Sequence, residues 1–238
     1  MKNYAIVDYR IDDEEEINLL NLGFQPIKCP PNPNIYKAIC GHPDILMHIV
    51  DNENIILHKD IENSFFNFFT SLNFKVSLCK DSLGSKYPLN IKLNAVNLKS
   101  YFIHNIKYTD EVLLEMTKHK KLINVKQGYT KCSTAIVNDN AIITSDIAIA
   151  RTLEVENFDV LLLPPGDISL PGLDYGFIGG CSGLLDENRL AFFGDLNYYS
   201  HGKDVITFLH KHGVEPIYLR KGKLIDRGSL FTVSLKDK

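Results

Sequence analysis

The feature that most constrains this chain is a turn that returns at near-regular intervals. Hairpin-type turns occur at Asp51-Asn52-Glu53-Asn54, Asn97-Leu98-Lys99-Ser100, Asn138-Asp139-Asn140 and Asp186-Glu187-Asn188, with starts 46, 41 and 48 residues apart. Asn, Asp and Ser favour turns because their short polar side chains bond the local backbone. Each turn has an apolar or alternating run on both sides, as a hairpin requires. Repetition of this length implies one small unit used several times, each copy burying its apolar face against its neighbours.

The rest of the unit follows each hairpin. Helical spacing predicts helices over Asp60–Leu72, Thr109–Lys118, Ser145–Leu153 and Lys203–His212, with Thr109 and Ser145 as candidate N-caps. Short apolar strands follow at Lys75–Cys79, Leu122–Val125, Val160–Leu163 and Pro216–Leu219. Tyr129–Pro164 is the cleanest of these four strand-strand-helix-strand copies. The chain ends supply a fifth in two pieces: Ala5–Asp8, the acidic helix Asp12–Leu22 and Gln25–Cys29, with Gly228–Leu235 as the missing inner strand. Closing one unit with both termini removes the open strand edges of a circular array. The expected architecture is therefore a single-domain α/β propeller of five ββαβ blades over residues 1–238. The blades run approximately 224–238 plus 1–40, 41–80, 81–126, 127–165 and 166–223. The alternative is two α/β domains divided near Lys80–Tyr87, but no Gly/Ser/Pro-rich linker marks a boundary there.

Charge and cysteine usage narrow the partners. A formal charge of −3 offers no electrostatic attraction to nucleic acid or an anionic membrane. No apolar run suggests a signal peptide or a membrane span. Five dispersed cysteines (29, 40, 79, 132, 181) without a CxxC read as reduced thiols, and the expected compartment is the cytoplasm. No cofactor is implied.

Aligning the copies on their turns and applying strand parity assigns one face to Asp44, His48, Asn90, Lys92, Asn94, Lys131, Ser133 and Cys181. Ile45, Met47, Ile49, Ile91, Leu93 and Ile136 fall on the other, under the helices; Cys132, of opposite parity to Lys131, reads as core. In a closed ring the polar face lines a central channel suited to a small polar ligand. Candidate ligand-binding residues are His42, Asp44, Asn90, Lys92, Asn94 and Lys131. The two lysines would favour a carboxylate or phosphate. Cys181, in Gly179-Gly180-Cys181-Ser182-Gly183, is the candidate nucleophile, with His48 or His42 as its acid/base. It would need such a neighbour to lower the thiol pKa. His42, Asp44 and His48 also have ligand-like spacing. Three such residue types within seven positions are frequent by chance, however, and no metal is assigned.

Five such blades with shared termini resemble the pentein fold of the guanidino-group-modifying enzymes. These are the arginine and agmatine deiminases, dimethylargininases and amidinotransferases. The segments Gly41-His42-Pro43-Asp44-Ile45, Tyr175-Gly176-Phe177-Ile178-Gly179-Gly180 and Asp226-Arg227-Gly228-Ser229-Leu230 are also similar to an uncharacterised clostridial family expected to share it. The resemblance implies a cysteine nucleophile, a histidine acid/base and carboxylates gripping a guanidinium. The matching positions differ. Tyr129 stands where the histidine is expected, Thr232 and Val233 near the cysteine, and amides and a lysine at Asn90-Ile91-Lys92-Leu93-Asn94 in place of an acidic run. Asp44 corresponds by position to a substrate-binding aspartate. The leading expectation is a divergent, non-catalytic relative binding a small polar molecule, or a protein partner, at the channel. The alternative is a cysteine-dependent hydrolase or transferase acting on guanidine-type C–N bonds. Oligomeric state is not legible.

Overall fold

The predicted units appear as five three-stranded sheets of one topology. They are seen in a computed structural model that describes residues 2–235. The first sheet orders β15 (Phe231–Leu235), β1 (Lys2–Asp8) and β2 (Phe24–Cys29). The second holds β3 (Met47–Ile49), β4 (Asn54–Leu57) and β5 (Lys75–Leu78). The third holds β6 (Val96–Asn97), β7 (Tyr101–His104) and β8 (Lys121–Asn124). The fourth and fifth hold β9 (Thr134–Asn138), β10 (Ala141–Thr144), β11 (Asp159–Leu162), and β12 (Ser182–Asp186), β13 (Arg189–Phe192), β14 (Glu215–Tyr218). In every sheet the first two strands are antiparallel and the last two parallel, so a helix must cross between them. The crossing helices are α1 (Asp13–Asn21), α3 (Asn63–Ser71), α4 (Glu111–Thr117), α5 (Ile147–Val155) and α6 (Gly202–Lys211). A four-residue turn of helix, α2 (Pro43–Leu46), precedes β3.

Local chemistry explains the boundaries. Asp12 and Glu15 form a reciprocal capping box at the start of α1. The caps of α4 and α5 are Asp110 and Asp146, whose carboxylates accept from Val112 N and from Ala148 N and Ile149 N, correcting the assignment to Thr109 and Ser145. In both cases a second capping residue followed the first, and the carboxylate also favours the helix dipole. The α3 stripe buries Phe65 edge to face on Phe69, and Phe69 edge to face on Phe74.

A second correction bears on function. The segments ahead of the inner strands β3, β6, β9 and β12 are tight turns, not strand. Backbone bonds run from Ile45 N to His42 O, Asn94 N to Ile91 O, Thr134 N to Lys131 O and Ser182 N to Gly179 O. Strand parity therefore does not govern residues 41–46, 87–95, 128–133 and 176–181. Consecutive repeats are joined through these turns. Asp44 N donates to Gly228 O, Asn94 Nδ2 to Asp44 O, Lys131 N to Asn94 O, Gly180 N to Cys132 O, and Ser229 N to Gly180 O. The bonds pass through all five repeats and return to the first, an arrangement consistent with a five-fold propeller. No helix among the described residues is long and apolar enough to cross a membrane.

Candidate functional site

The turns that join the repeats carry a buried polar cluster at their meeting point. Asn94 organises it: its Oδ1 accepts from Lys131 N (2.8 Å) and Cys132 N (3.1 Å), and its Nδ2 donates to Asp44 O (3.0 Å) and Cys132 Sγ (3.2 Å). One side chain thus ties three repeats together. Asp44 Oδ2 accepts from Ser229 Oγ at 2.6 Å and from the Cys132 thiol at 3.0 Å. Lys131 Nζ donates to Ser229 Oγ at 3.0 Å, so the hydroxyl bridges ammonium and carboxylate. Burial pushes the Asp44 carboxyl up and the Lys131 ammonium down, each toward its neutral form. Lys131 and the two hydrogen bonds to Asp44 oppose the shift of the carboxyl.

His42 lies beside this group between two carboxylates. Its Nε2 is 3.8 Å from Asp8 Oδ2 and its Nδ1 is 3.8 Å from Asp226 Oδ1, and neither ring nitrogen has a hydrogen-bond partner. Burial lowers its pKa against the pull of Asp226 and Asp8. Asp8 is gripped by Arg10 through Nε at 2.8 Å and Nη2 at 2.5 Å. Asp226 instead accepts from the amides of Phe177 (2.8 Å) and Gly228 (2.9 Å), and burial raises its pKa. Glycine is required around it: a Cβ on Gly180 would stand 2.1 Å from Asp226 Oδ1, and one on Gly228, at φ +70°, 2.1 Å from His42 Cβ.

Two cavities flank the cluster. One, of about 250 Å³, has His42, Cys132 and Asp226 among its lining, with Tyr36, Tyr129, Tyr175, Phe177 and Leu170 as apolar and aromatic wall. Tyr129 stacks on Phe177, and its hydroxyl lies 3.3 Å from that of Tyr36 and accepts from Asn90 Nδ2 at 2.9 Å. The other cavity, of about 220 Å³, is lined from the inner strands by His48, Ile49, Ile136 and Thr232, and from the turn before β9 by Lys131. His48 Nδ1 there donates to Leu93 O at 3.0 Å, and burial lowers the imidazole to about 4.

The predicted site residues therefore separate. His42, Asp44, Asn94 and Lys131 come together, and Asn90 stands one contact away through Tyr129. Lys92 points elsewhere: it pairs with Asp81 at 2.8 Å beside Lys107 and Tyr108, because its turn directs it outward where parity would have turned it inward. Cys181 is enclosed in the apolar cluster with Phe192 and Leu196, and its thiol donates to Ile178 O at 3.2 Å. Burial pushes that thiol well up, and no imidazole is bonded to it, so the geometry does not supply the activation a nucleophile needs. Its turn, like Cys132's, defeats parity in the opposite sense: the thiol at the cluster is Cys132. Thr232 Oγ1 donates to Leu184 O, and Val233 is buried. Asp8, Asp226, Cys132 and Ser229 had not been picked out as site residues. The one sequence signal, Gly176, Gly180 and Gly228 around an aspartate, points to Asp226 alone.

The fold has known counterparts. The amidinotransferase SxtG from Microseira wollei, of the saxitoxin biosynthetic pathway, superposes with a TM-score of 0.56 at 12% identity, covering 90% of this chain and 87% of that one. An agmatine deiminase from C. jejuni gives 0.54 at 12% identity over 91% and 86%. DDAH from Pseudomonas aeruginosa, a cysteine-to-serine variant complexed with citrulline, gives 0.55 at 9% identity over 92% of each chain. No curated protein matches the sequence. At identities of 9–12% the likeness is one of fold: five ββαβ sheets of the pentein kind. Residues 6–231 match the family of unknown function DUF6873, and the chain belongs to that family.

Proposed function

We propose that this protein is a non-catalytic pentein-fold binding protein, a single five-bladed propeller closed by its termini, working in a bacterial cytoplasm. It takes a small polar molecule in the aromatic cavity. The observation that carries this reading is a cavity of about 250 Å³ with aromatic walls and buried polar groups, His42 and Asp226, at its base. Aromatic faces grip a flat or aliphatic body at little entropic cost, while a few convergent polar groups fix the head. Asp226 offers acceptors only, with amide donors rather than a cation as hydrogen-bond partners, so an N–H-donating head such as a guanidine or amine suits it. This displaces the expectation of an anionic ligand, since Lys92 is paired outside and Lys131 is engaged with Ser229. The absence of catalysis is supported by Tyr129 at the expected histidine position and by Cys132, whose proton is held by burial and Asp44.

The test is a thermal-shift screen of chelator-treated protein with guanidines, amines, amino acids and anions. A binder at one hundred times its Kd adds about 2.7 kcal/mol, a Tm rise of roughly 5–10 °C. N–H-donating heads are expected to stabilise, and Tyr175→Ala and Asp226→Asn to reduce the shift. Stabilisation by anions alone, or shifts untouched by both variants, would refute the reading. A second reading, hydrolysis of a guanidine C–N bond by Cys132, draws on His42 standing within 4.8 Å of that thiol. Ammonia release from a guanidine, lost in Cys132→Ser, would establish it.

A further inference from the structure

We infer that His42, Asp44 and Cys132 form a zinc-binding site at the base of the aromatic cavity. One imidazole nitrogen, one carboxylate oxygen and the thiol sulfur lie within 4.8 Å of one another. Tetrahedral zinc, with bonds of about 2.0–2.1 Å to nitrogen or oxygen and about 2.3 Å to sulfur, sets neighbouring ligand atoms roughly 3.3–3.6 Å apart. Side-chain movements of about an ångström would reach that geometry. Cys132 Sγ and Asp44 Oδ2 already stand 3.0 Å apart in an S–H···O bond. A metal ion would replace the shared proton with two coordination bonds.

Independent observations point the same way. Asp44 Oδ1 and both ring nitrogens of His42 are buried without a hydrogen-bond partner, in side chains only 1% exposed. Buried polar atoms are ordinarily satisfied, and three orphans in two adjacent side chains mark a place for a ligand. The carboxylates also provide for orientation. A ligating imidazole normally donates its other N–H to a carboxylate, and His42 has one 3.8 Å from each nitrogen. The charge balance fits as well. Asp8 is paired with Arg10, and Asp44 with Lys131 through Ser229, which leaves Asp226 without a cation. A divalent ion that displaces the thiol proton brings one net positive charge, which matches that carboxylate. The mixed nitrogen, oxygen and sulfur set suits zinc and not magnesium or calcium, which take oxygen ligands. Because His42 and Cys132 both line the cavity, a fourth position is left for water or a bound molecule.

This site goes beyond the small-molecule reading and stands without it: the metal is titrated with no organic compound present, and the compound screen uses chelator-treated protein. The experiment is titration of the stripped protein with Zn²⁺ against a chromophoric chelator, and with Co²⁺ followed by absorption. One ion per chain is expected, with release of about one proton and a near-ultraviolet thiolate-to-cobalt charge-transfer band. Cys132→Ser should abolish the band, and His42→Gln, which leaves the Cys132–Asp44 bond in place, should weaken affinity by roughly 10- to 100-fold or more. Cys181→Ser should leave both unchanged. A band that survives Cys132→Ser, a band lost in Cys181→Ser, or affinity indifferent to His42→Gln would overturn the assignment. So would the lack of tight binding in the unmodified chain.

Discussion

Acid should destabilise this protein chiefly through its buried imidazoles, three of which are shifted furthest. His48, His58 and His104 are 3, 1 and 0% exposed, and burial lowers each to about 4. Each is held by fixed neighbours: Leu93 O at 3.0 Å for His48, Asn32 Nδ2 at 3.3 Å for His58, and Gly128 O and Thr109 Oγ1 at 3.0 and 2.7 Å for His104. In the unfolded chain a histidine titrates near 6.5. As pH falls from about 6.5 toward 4, the unfolded chain binds protons that the folded one refuses, so stability falls with pH and levels off below the folded value. A displacement from about 6.5 to about 4 is worth about 3 kcal/mol per imidazole. Three together approach the whole stability of an ordinary domain. Asp44, Asp226 and Glu15 act in the opposite sense, because burial raises their folded-state values and the native state takes up protons first. They blunt the loss toward the acid end, so the steepest fall belongs between about pH 6 and 5. Urea unfolding followed by far-ultraviolet circular dichroism at half-unit pH steps measures it. The unmodified protein should lose up to about 4 kcal/mol per pH unit, and His58→Gln and His104→Gln should each remove about 1.4 kcal/mol per unit of that slope. A flat profile between pH 7 and 5, or variants with the parent slope, would refute the reasoning.

Gly180→Ala should destabilise by roughly 1–3 kcal/mol and disorder Asp226, because the added methyl would sit 2.1 Å from its carboxylate; thermal melts and the Tyr129 environment by near-ultraviolet dichroism would report both. Asn94→Ala should cost about 3 kcal/mol or more by urea titration, since it leaves buried groups of three repeats unpaired at once. Arg10→Ala should cost roughly 3–5 kcal/mol by the same measurement, the penalty for leaving the Asp8 carboxylate buried alone. Cys29, Cys79 and Cys181 are buried with thiols pushed up by burial, so a disulfide reagent at neutral pH should label them only on the timescale of unfolding.

The repeat was readable from the chain because turn chemistry and apolar runs are local. Asp51–Asn54 and Asp186–Asn188 mark hairpins whatever the rest of the molecule does, and the strands on either side follow. The site was only half readable, for a physical reason. Its residues sit in the turns before the inner strands, where side chains no longer alternate. Lys92 and Cys132 were each assigned the wrong direction on the assumption that they did. Asp44 is found by aligning the copies on their turns, and His42 by its spacing from Asp44 and His48. Asp226 and Asp8 are not, since nothing near either one in sequence tells that it will meet His42 across the fold. Glycines spaced around a distant aspartate were the one visible trace of that meeting.

The pairing of β15 with β1 has a consequence in time as well as in space. During synthesis Asp8 emerges early, and His42, Asp44, Asn94 and Cys132 follow it in order, yet Asp226 and Ser229 are made only after all six helices and nearly every strand. Until then the first sheet lacks its inner strand, and the carboxylate of Asp44 lacks the hydroxyl that joins it to Lys131. Asp44 and His42 therefore gain two of their neighbours, Ser229 and Asp226, only from residues made long after them.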